Sequence, residues 1–199
     1  GGWSNGANQG LGFGAWIITN NNGEGVGFTN YAGSFIGNST ADGGGNVNAQ
    51  PSVDAFGLYA NQVGTGGDPL SQATRPFSAE LAAGSTLSVD LGVNFRDGAK
   101  GVMIQNGDAW LFEVAVVGDK YVYQNHGAGG SQVELFGEGA TNYAANTAIR
   151  VQMTRKTASL FDIQIIRSGG FSETTTLAGV SIGGAPDRVR FYNFNTAGG

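Results

Sequence analysis

The chain contains one histidine, His126, and no cysteine. These counts exclude a zinc site built from several His or Cys ligands, a cysteine nucleophile and any disulfide bond. A Ser-His-Asp triad would have to use His126. Because this residue precedes the Gly-rich segment 127–130, we interpret it as a loop residue that can hydrogen-bond a ligand.

Two carboxylates, Asp90 and Glu113, are the next candidates for chemistry. Glycoside hydrolysis needs two carboxyl groups about 5–9.5 Å apart. Both residues alternate with apolar neighbours, so they could approach one another across strands, or they could be isolated polar residues on a solvated face. A lyase would need a base such as Tyr or His beside Arg and Gln, and Tyr123, Gln124 and His126 supply only the residue types. We predict no catalytic residues.

Acidic residues in Gly-rich segments raise the question of a calcium site, because this hard cation is bound by several oxygen ligands. They are Asp42, Asp54, Asp68, Asp97 and Asp108. None forms a dense Asp-x-Asp-x-Asp loop, and turn formation explains Asp97 and Asp108. We therefore predict no cofactor, with one structural calcium ion as the alternative.

Sugar recognition needs only an aromatic ring for the apolar face of a sugar and polar side chains for its hydroxyls. Alternation along the predicted strands places such side chains opposite the core. The predicted ligand-binding residues are Tyr59, Asn61, Arg75, Asp90, Asn94, Gln105, Glu113, Tyr123, His126 and Gln152. The alternatives are that an antiparallel sheet simply has one solvated side, and that Arg75 pairs with a neighbouring carboxylate.

Short strands must position these side chains. Residues 86–95 alternate apolar with small or polar residues, which predicts a half-buried strand. The Asn106-Gly107 pair predicts a type I′ hairpin, and residues 86–124 together predict a four-stranded antiparallel meander. Further strands are predicted at residues 14–20, 34–37, 55–61, 77–81, 148–154, 159–167, 172–177 and 188–194.

The pattern of strands predicts the fold class. No stretch of ten or more residues shows a helical apolar period with caps, so we expect almost no helix. Strands with one apolar face need a second sheet to cover it. We predict an all-β fold, a two-sheet antiparallel jelly-roll β-sandwich formed by residues 1–199 as a single domain, which we expect to be excised from a longer extracellular protein.

Several segments resemble a known group of domains. They are Gly12-Phe13-Gly14-Ala15-Trp16, residues 55–61, Arg75-Pro76-Phe77, residues 87–91, Leu111-Phe112-Glu113 and residues 188–193. Their order resembles concanavalin A-like lectin and glucanase domains, including laminin G-like ones, of secreted or surface bacterial proteins. The resemblance implies a jelly roll with one concave face, in a group that contains lectins, carbohydrate-binding modules and glycosidases. The Glu-x-Asp-x-x-Glu strand of those glycosidases does not occur here.

Charge and composition exclude some classes of binding partner. The net charge is -5 and only 13% of residues are charged, so we expect no nucleic-acid partner. No apolar run approaches the length that spans a bilayer, so we expect no membrane insertion. The 36 glycines favour a secreted or cell-surface β-rich protein.

Three functions fit these expectations. The first is a non-catalytic, lectin-like carbohydrate-binding module whose partner is a polysaccharide or other glycan. The second is a structural or adhesive subunit that joins neighbouring copies of itself in a surface layer, filament or matrix. A glycoside hydrolase or polysaccharide lyase on the same fold is the third.

Overall fold

The computed structural model describes residues 4–8, 11–23, 31–38, 54–62, 67–137, 143–144, 147–167 and 173–195. Within these ranges the chain forms β-strands and one short 3-10 turn, His126–Ala128. The strands are β1 (Ile17–Asn21), β2 (Tyr31–Asn38), β3 (Asp54–Asn61), β4 (Leu70–Pro76), β5 (Thr86–Gly92), β6 (Ala99–Asn106), β7 (Ala109–Val117), β8 (Lys120–Gln124), β9 (Val133–Glu134), β10 (Ala148–Arg155), β11 (Leu160–Arg167), β12 (Thr174–Ser181) and β13 (Arg188–Phe194). Among the described residues, no helix is long and apolar enough to cross a membrane.

The strands form two main sheets. A seven-stranded sheet has the order β1-β4-β13-β6-β7-β8-β9, a four-stranded sheet has the order β12-β11-β10-β5, and β2 and β3 form a separate ribbon. All of the pairings are antiparallel. The prediction of an all-β fold with antiparallel sheets and almost no helix is confirmed.

Alternate residues of the two sheets form one apolar core. Val102, Phe112 and Val189 come from the seven-stranded sheet, and Val151 and Ile163 come from the four-stranded sheet. Because successive side chains of a strand point to opposite faces, the residues between these core positions lie on the outer surfaces. This alternation is what places the polar side chains described below.

The predicted four-stranded meander is wrong, because its first strand belongs to the other sheet. β5 pairs with β10 in the four-stranded sheet, whereas β6, β7 and β8 follow one another in the seven-stranded sheet. Six residues separate β5 from β6, which is longer than a tight hairpin loop and allows the chain to cross between layers. Alternation identified β5 as half-buried but carries no information about its neighbour.

The two hairpins of β6, β7 and β8 use glycine in the same way. Asn106 pairs with Ala109, so Gly107 and Asp108 form the first loop, and Gly118 holds the corresponding position in the second. Gly107 has φ 56° and Gly118 has φ 55°, whereas Asp108 has no positive φ. Positive φ at the first central residue alone is typical of a type II′ turn, so the type I′ prediction is wrong.

A strand predicted at residues 77–81 lies instead at Leu70–Pro76. Ser71 and Ala73 are fully buried in β4, and small residues of this kind give a weak hydropathy signal. Pro76 closes the strand because proline has no N–H to donate to the ladder. Phe77 then makes only an isolated bridge to Phe13.

Candidate functional site

A polar surface lies on the outer side of the seven-stranded sheet. On β13, Val189 packs into the core, so Arg188, Arg190 and Tyr192 lie on the opposite face, and on β7 the same alternation places Glu113 there. The register aligns Arg190, Met103, Glu113 and Gln124 in one row across β13, β6, β7 and β8. We call Arg190, Tyr192, Glu113, His126 and Trp110 the polar cluster.

Glu113 is the centre of the polar cluster. The Tyr192 hydroxyl donates a hydrogen bond to Glu113 Oε1 at 2.5 Å, and His126 Nε2 lies 3.0 Å from Glu113 Oε2. The Glu113 side chain is only 12% exposed and that of His126 is 17% exposed. Both carboxylate oxygens therefore have a partner on a neighbouring element, which fixes the orientation of all three side chains.

A tight turn positions His126. The Asn125 side chain accepts a hydrogen bond from the Ala128 amide, and Gly129 closes the turn with φ 67°. Gly127 packs so closely on the backbone of Ile182 that an added Cβ would overlap the Ile182 carbonyl oxygen. The turn is thus fixed against the segment that follows β12.

Trp110 extends the cluster towards solvent. The register of β6 and β7 shifts between Ile104 and Gln105, so Gln105 pairs with Trp110 while Ile104 pairs with Phe112. Such a bulge re-aims a side chain relative to regular alternation. The Trp110 ring is 49% exposed and meets the His126 ring edge to face, with centroids 5.3 Å apart. An exposed aromatic ring therefore lies directly beside the hydrogen-bonded network.

Burial holds the Tyr192 hydroxyl in its protonated form. Desolvation raises the pKa of Tyr192 far above its usual range, and the negative charge of Glu113 and the hydrogen bond to it raise this pKa further. Tyr192 therefore donates to Glu113 and is not a base at neutral pH. The arrangement is suited to holding hydrogen-bonding groups in fixed positions.

Arg190 of the polar cluster and Gln72 on the adjacent strand each have an unpaired polar atom. Arg190 Nε and Gln72 Oε1 are buried, and neither has a hydrogen-bond partner within the described part of the chain. The Arg190 guanidinium lies 5.9 Å from the centre of the Tyr192 ring, and burial lowers the pKa of Arg190. The two residues lie on neighbouring strands, β13 and β4, in which Tyr192 pairs with Gln72 and Arg190 pairs with Thr74.

Of the residues predicted to bind a ligand, three lie on this outer face. Glu113 and His126 touch one another, as described above, and Gln105 lies opposite Trp110. Gln105 lies on the predicted face, but it is only 5% exposed, so little of its side chain is open to a ligand.

Asp90 and Gln152 lie on the outer face of the four-stranded sheet instead. There Asp90 accepts two hydrogen bonds from Arg150, each 2.7 Å long. Since core residues separate this surface from Glu113, Asp90 and Glu113 cannot form a catalytic pair. The idea that they approach one another across adjacent strands is wrong because their strands belong to different sheets.

Tyr123 points into the core and is not on the outer face. Val114 and Tyr123 are register partners, so they share the inward side, and the Tyr123 ring stacks on Phe112 at 5.8 Å. In β8 the sequence Tyr-Val-Tyr has apolar or amphipathic residues at every position, so its alternation does not identify the inward face. The outward placement of Tyr123 was therefore wrong.

The remaining predicted residues lie elsewhere on the molecule. Tyr59 and Asn61 are on the ribbon, where the Tyr59 ring covers Gly33, and Asn94 is exposed in the loop after β5. The Arg75 guanidinium lies over the rings of Phe13 and Trp16, at 4.8 and 5.0 Å, and its Nε donates to the Gly14 carbonyl. None of these residues reaches the polar cluster.

Sequence reasoning missed Arg190 and Tyr192 as site residues. The alternation of Arg188, Arg190 and Tyr192 with apolar neighbours in β13 was the available signal. The sequence prediction also overlooked the spacing Gly179-x-Ser181-x-Gly183, which has the form of a serine nucleophile motif. Ser181 ends an edge strand that leads to β13 without a helix, and it makes no hydrogen bond to His126, so this segment is not a nucleophile elbow.

No protein-family model, curated protein or solved structure matches this chain. Among the described residues, no group of three His, Asp or Glu side chains could hold a metal ion. Asp42, one of the candidate calcium ligands, lies outside those residues, and the side chain of Asp54 is not described.

Proposed function

We propose that this chain is a non-catalytic carbohydrate-binding module that binds glycan at the polar cluster. The observation that carries the proposal is the exposed Trp110 ring beside the network of Glu113, His126 and Tyr192. A flat aromatic ring accepts the apolar face of a sugar, while oriented polar groups bind its hydroxyls. The resemblance to concanavalin A-like domains and the Gly-rich composition support a secreted or cell-surface location.

Binding explains the cluster better than catalysis does. Glycoside hydrolysis needs a second carboxyl group within about 9.5 Å, and Glu113 is the one carboxylate in this network of described residues. The pKa of Tyr192 is raised and its hydroxyl donates to Glu113, so this tyrosine is not suited to act as a lyase base. The network therefore favours reversible association without bond cleavage.

The experiment is affinity electrophoresis and calorimetry with a panel of soluble polysaccharides. Trp110→Ala should weaken binding by about tenfold or more, since loss of an aromatic contact is worth about 1–3 kcal/mol. Gln152→Ala, which changes the outer face of the four-stranded sheet, is the matched control and should bind as the wild type does. Equal loss in both variants, or release of reducing ends or unsaturated products, would contradict the proposal.

A structural or adhesive subunit is a second candidate, favoured by the edge strand β12. It is eight residues long, and Thr174–Ser181 contains neither a charge nor a proline. Long uncharged edges promote pairing with a second chain. If the chain is such a subunit, sedimentation velocity should show oligomers that depend on concentration and that Thr176→Lys dissociates. A monomer at every concentration would exclude the structural-subunit function.

A further inference from the structure

Arg190 differs from the other arginines in having no polar partner among the described residues. The sequence contains seven arginines, and all lie in the described residues. Five form ion pairs with carboxylates, namely Arg96, Arg150, Arg155, Arg167 and Arg188, and the sixth, Arg75, donates to a backbone carbonyl. Within the described part of the chain, Arg190 has neither an ion pair nor a hydrogen bond, and its Nε is buried.

This arrangement is unfavourable unless something binds there. A buried donor without an acceptor destabilises a protein by about 1–3 kcal/mol, and more when the group is charged. The nearest carboxylate, Glu113, does not satisfy Arg190, because its oxygens accept from Tyr192 and contact His126. Such unpaired charged groups are typical of sites that are completed by a ligand.

The chemistry of the guanidinium identifies the missing group. Arginine presents planar donors that match the two oxygens of a carboxylate or the oxygens of a sulfate. Its position in the same row as Glu113 places it within the surface proposed to bind glycan. On the adjacent strand, Gln72 Oε1 is likewise buried without a partner among the described residues.

We propose that Arg190 binds an anionic substituent of the glycan, so that the ligand of the polar cluster is an acidic polysaccharide that carries uronate carboxylates or sulfate esters. This inference rests on the proposed glycan-binding function and names its ligand class. Arg190 supplies the charge. Trp110 supplies the stacking surface.

The test compares polysaccharides that differ only in charge. The probes are polygalacturonate, the same polymer after full methyl esterification, a sulfated galactan and a neutral β-glucan, each titrated into the intact chain by calorimetry. Binding of polygalacturonate or of the sulfated polymer should be at least tenfold tighter than that of the two neutral polymers. Whichever acidic polymer binds more tightly identifies the anion as carboxylate or sulfate.

Two variants assign this preference to Arg190. Arg190→Gln should weaken binding of the acidic polymer by about 10- to 100-fold, the range for a charge-assisted hydrogen bond. Lys156→Gln removes one positive charge from an exposed ion pair with Asp162 and should leave binding unchanged. Equal loss in the two variants would show a non-specific charge effect and would overturn the inference.

Stability distinguishes a ligand-binding role from a structural one. Arg190→Met removes the unpaired charge, so its midpoint of urea unfolding should equal or exceed that of the wild type while acidic-polymer binding is lost. A marked decrease in that midpoint would show that Arg190 supports the fold and would overturn the inference. Tight binding of neutral β-glucan, independent of Arg190 but lost in Trp110→Ala, would overturn only the acidic ligand. No binding of any polymer would overturn the glycan-binding function as well.

Discussion

Glu113 and Tyr192 lie on strands that β6 separates, yet their side chains meet, with the Tyr192 hydroxyl 2.5 Å from Glu113 Oε1. The tyrosine ring reaches across β6 where Gly101 is its register partner. This glycine is required because an added Cβ would lie only 2.5 Å from the Val114 carbonyl oxygen and 2.8 Å from Ala115 Cβ. The absence of a side chain at Gly101 therefore leaves room for Tyr192 to reach Glu113 across β6.

The Tyr192 hydroxyl should contribute to the stability of the fold. Tyr192→Phe leaves Glu113 Oε1 buried without a donor, which should lower the free energy of unfolding by about 1–2 kcal/mol. Urea denaturation at pH 7 measures this change. Tyr59→Phe removes an equivalent hydroxyl from the exposed ribbon, and its effect should stay within about 0.5 kcal/mol. An equal effect in both variants would show that the hydrogen bond to Glu113 adds nothing.

Gly127 should be essential for the position of His126. Gly127→Ala places a methyl group against the Ile182 carbonyl, so the turn must move and the contact between His126 and Glu113 should be lost. We expect destabilisation of about 1–3 kcal/mol and weaker glycan binding, measured by urea denaturation and calorimetry. Gly184→Ala is the control, because its Cβ would meet only the Leu111 side chain at an ordinary 3.8 Å. Matching results for the two variants would contradict this account.

Asp90 should matter for stability but not for binding. Asp90→Asn breaks a bidentate pair with Arg150 and should destabilise the fold by about 1 kcal/mol. Glycan affinity should not change, because Asp90 lies on the outer face of the other sheet. Asp68→Asn, at an exposed position, should alter neither property. Reduced affinity in Asp90→Asn would mean that the outer face of the four-stranded sheet takes part in binding.

Asp90 and Glu113 also show how far sequence patterns reach. Alternation correctly identified β5 and β7 as strands with one apolar face, because burial on one side imposes a period of two. Alternation could not assign β5 to the four-stranded sheet, because the backbone hydrogen bonds of a strand can be made with any neighbouring strand. Site residues from the two strands were therefore grouped on one surface when they belong on opposite ones.

Only part of the polar cluster could be predicted from the sequence, because its members also come from strands whose pairing the sequence does not reveal. Glu113 and His126 were predicted because their residue types and neighbours are distinctive. Tyr192 and Arg190 join them because β13 pairs with β6. These two strands are far apart in the sequence. Trp110 reaches the cluster because of a register shift, and a bulge of this kind has no reliable signal in a single sequence.

Lys100 should make the stability of the fold depend on pH. It is 7% exposed, and desolvation lowers its pKa to about 8, an effect that the charge of Asp97 partly offsets. Because the folded state binds this proton less tightly than the unfolded state does, the penalty is fully present below about pH 8 and decreases as pH rises towards 10.5. Stability should thus increase with pH in this window.

The variant Lys100→Met isolates this effect. At pH 7 it should be more stable than the wild type by about 1–2 kcal/mol, after allowance for the lost hydrogen bond to the Asp97 carbonyl. The difference should shrink between pH 8 and pH 9.5, measured by urea unfolding at each pH. Lys156→Met, at an exposed lysine, should show no such convergence. A constant difference across this range would mean that Lys100 is protonated throughout and that its ammonium group is accommodated without a desolvation penalty.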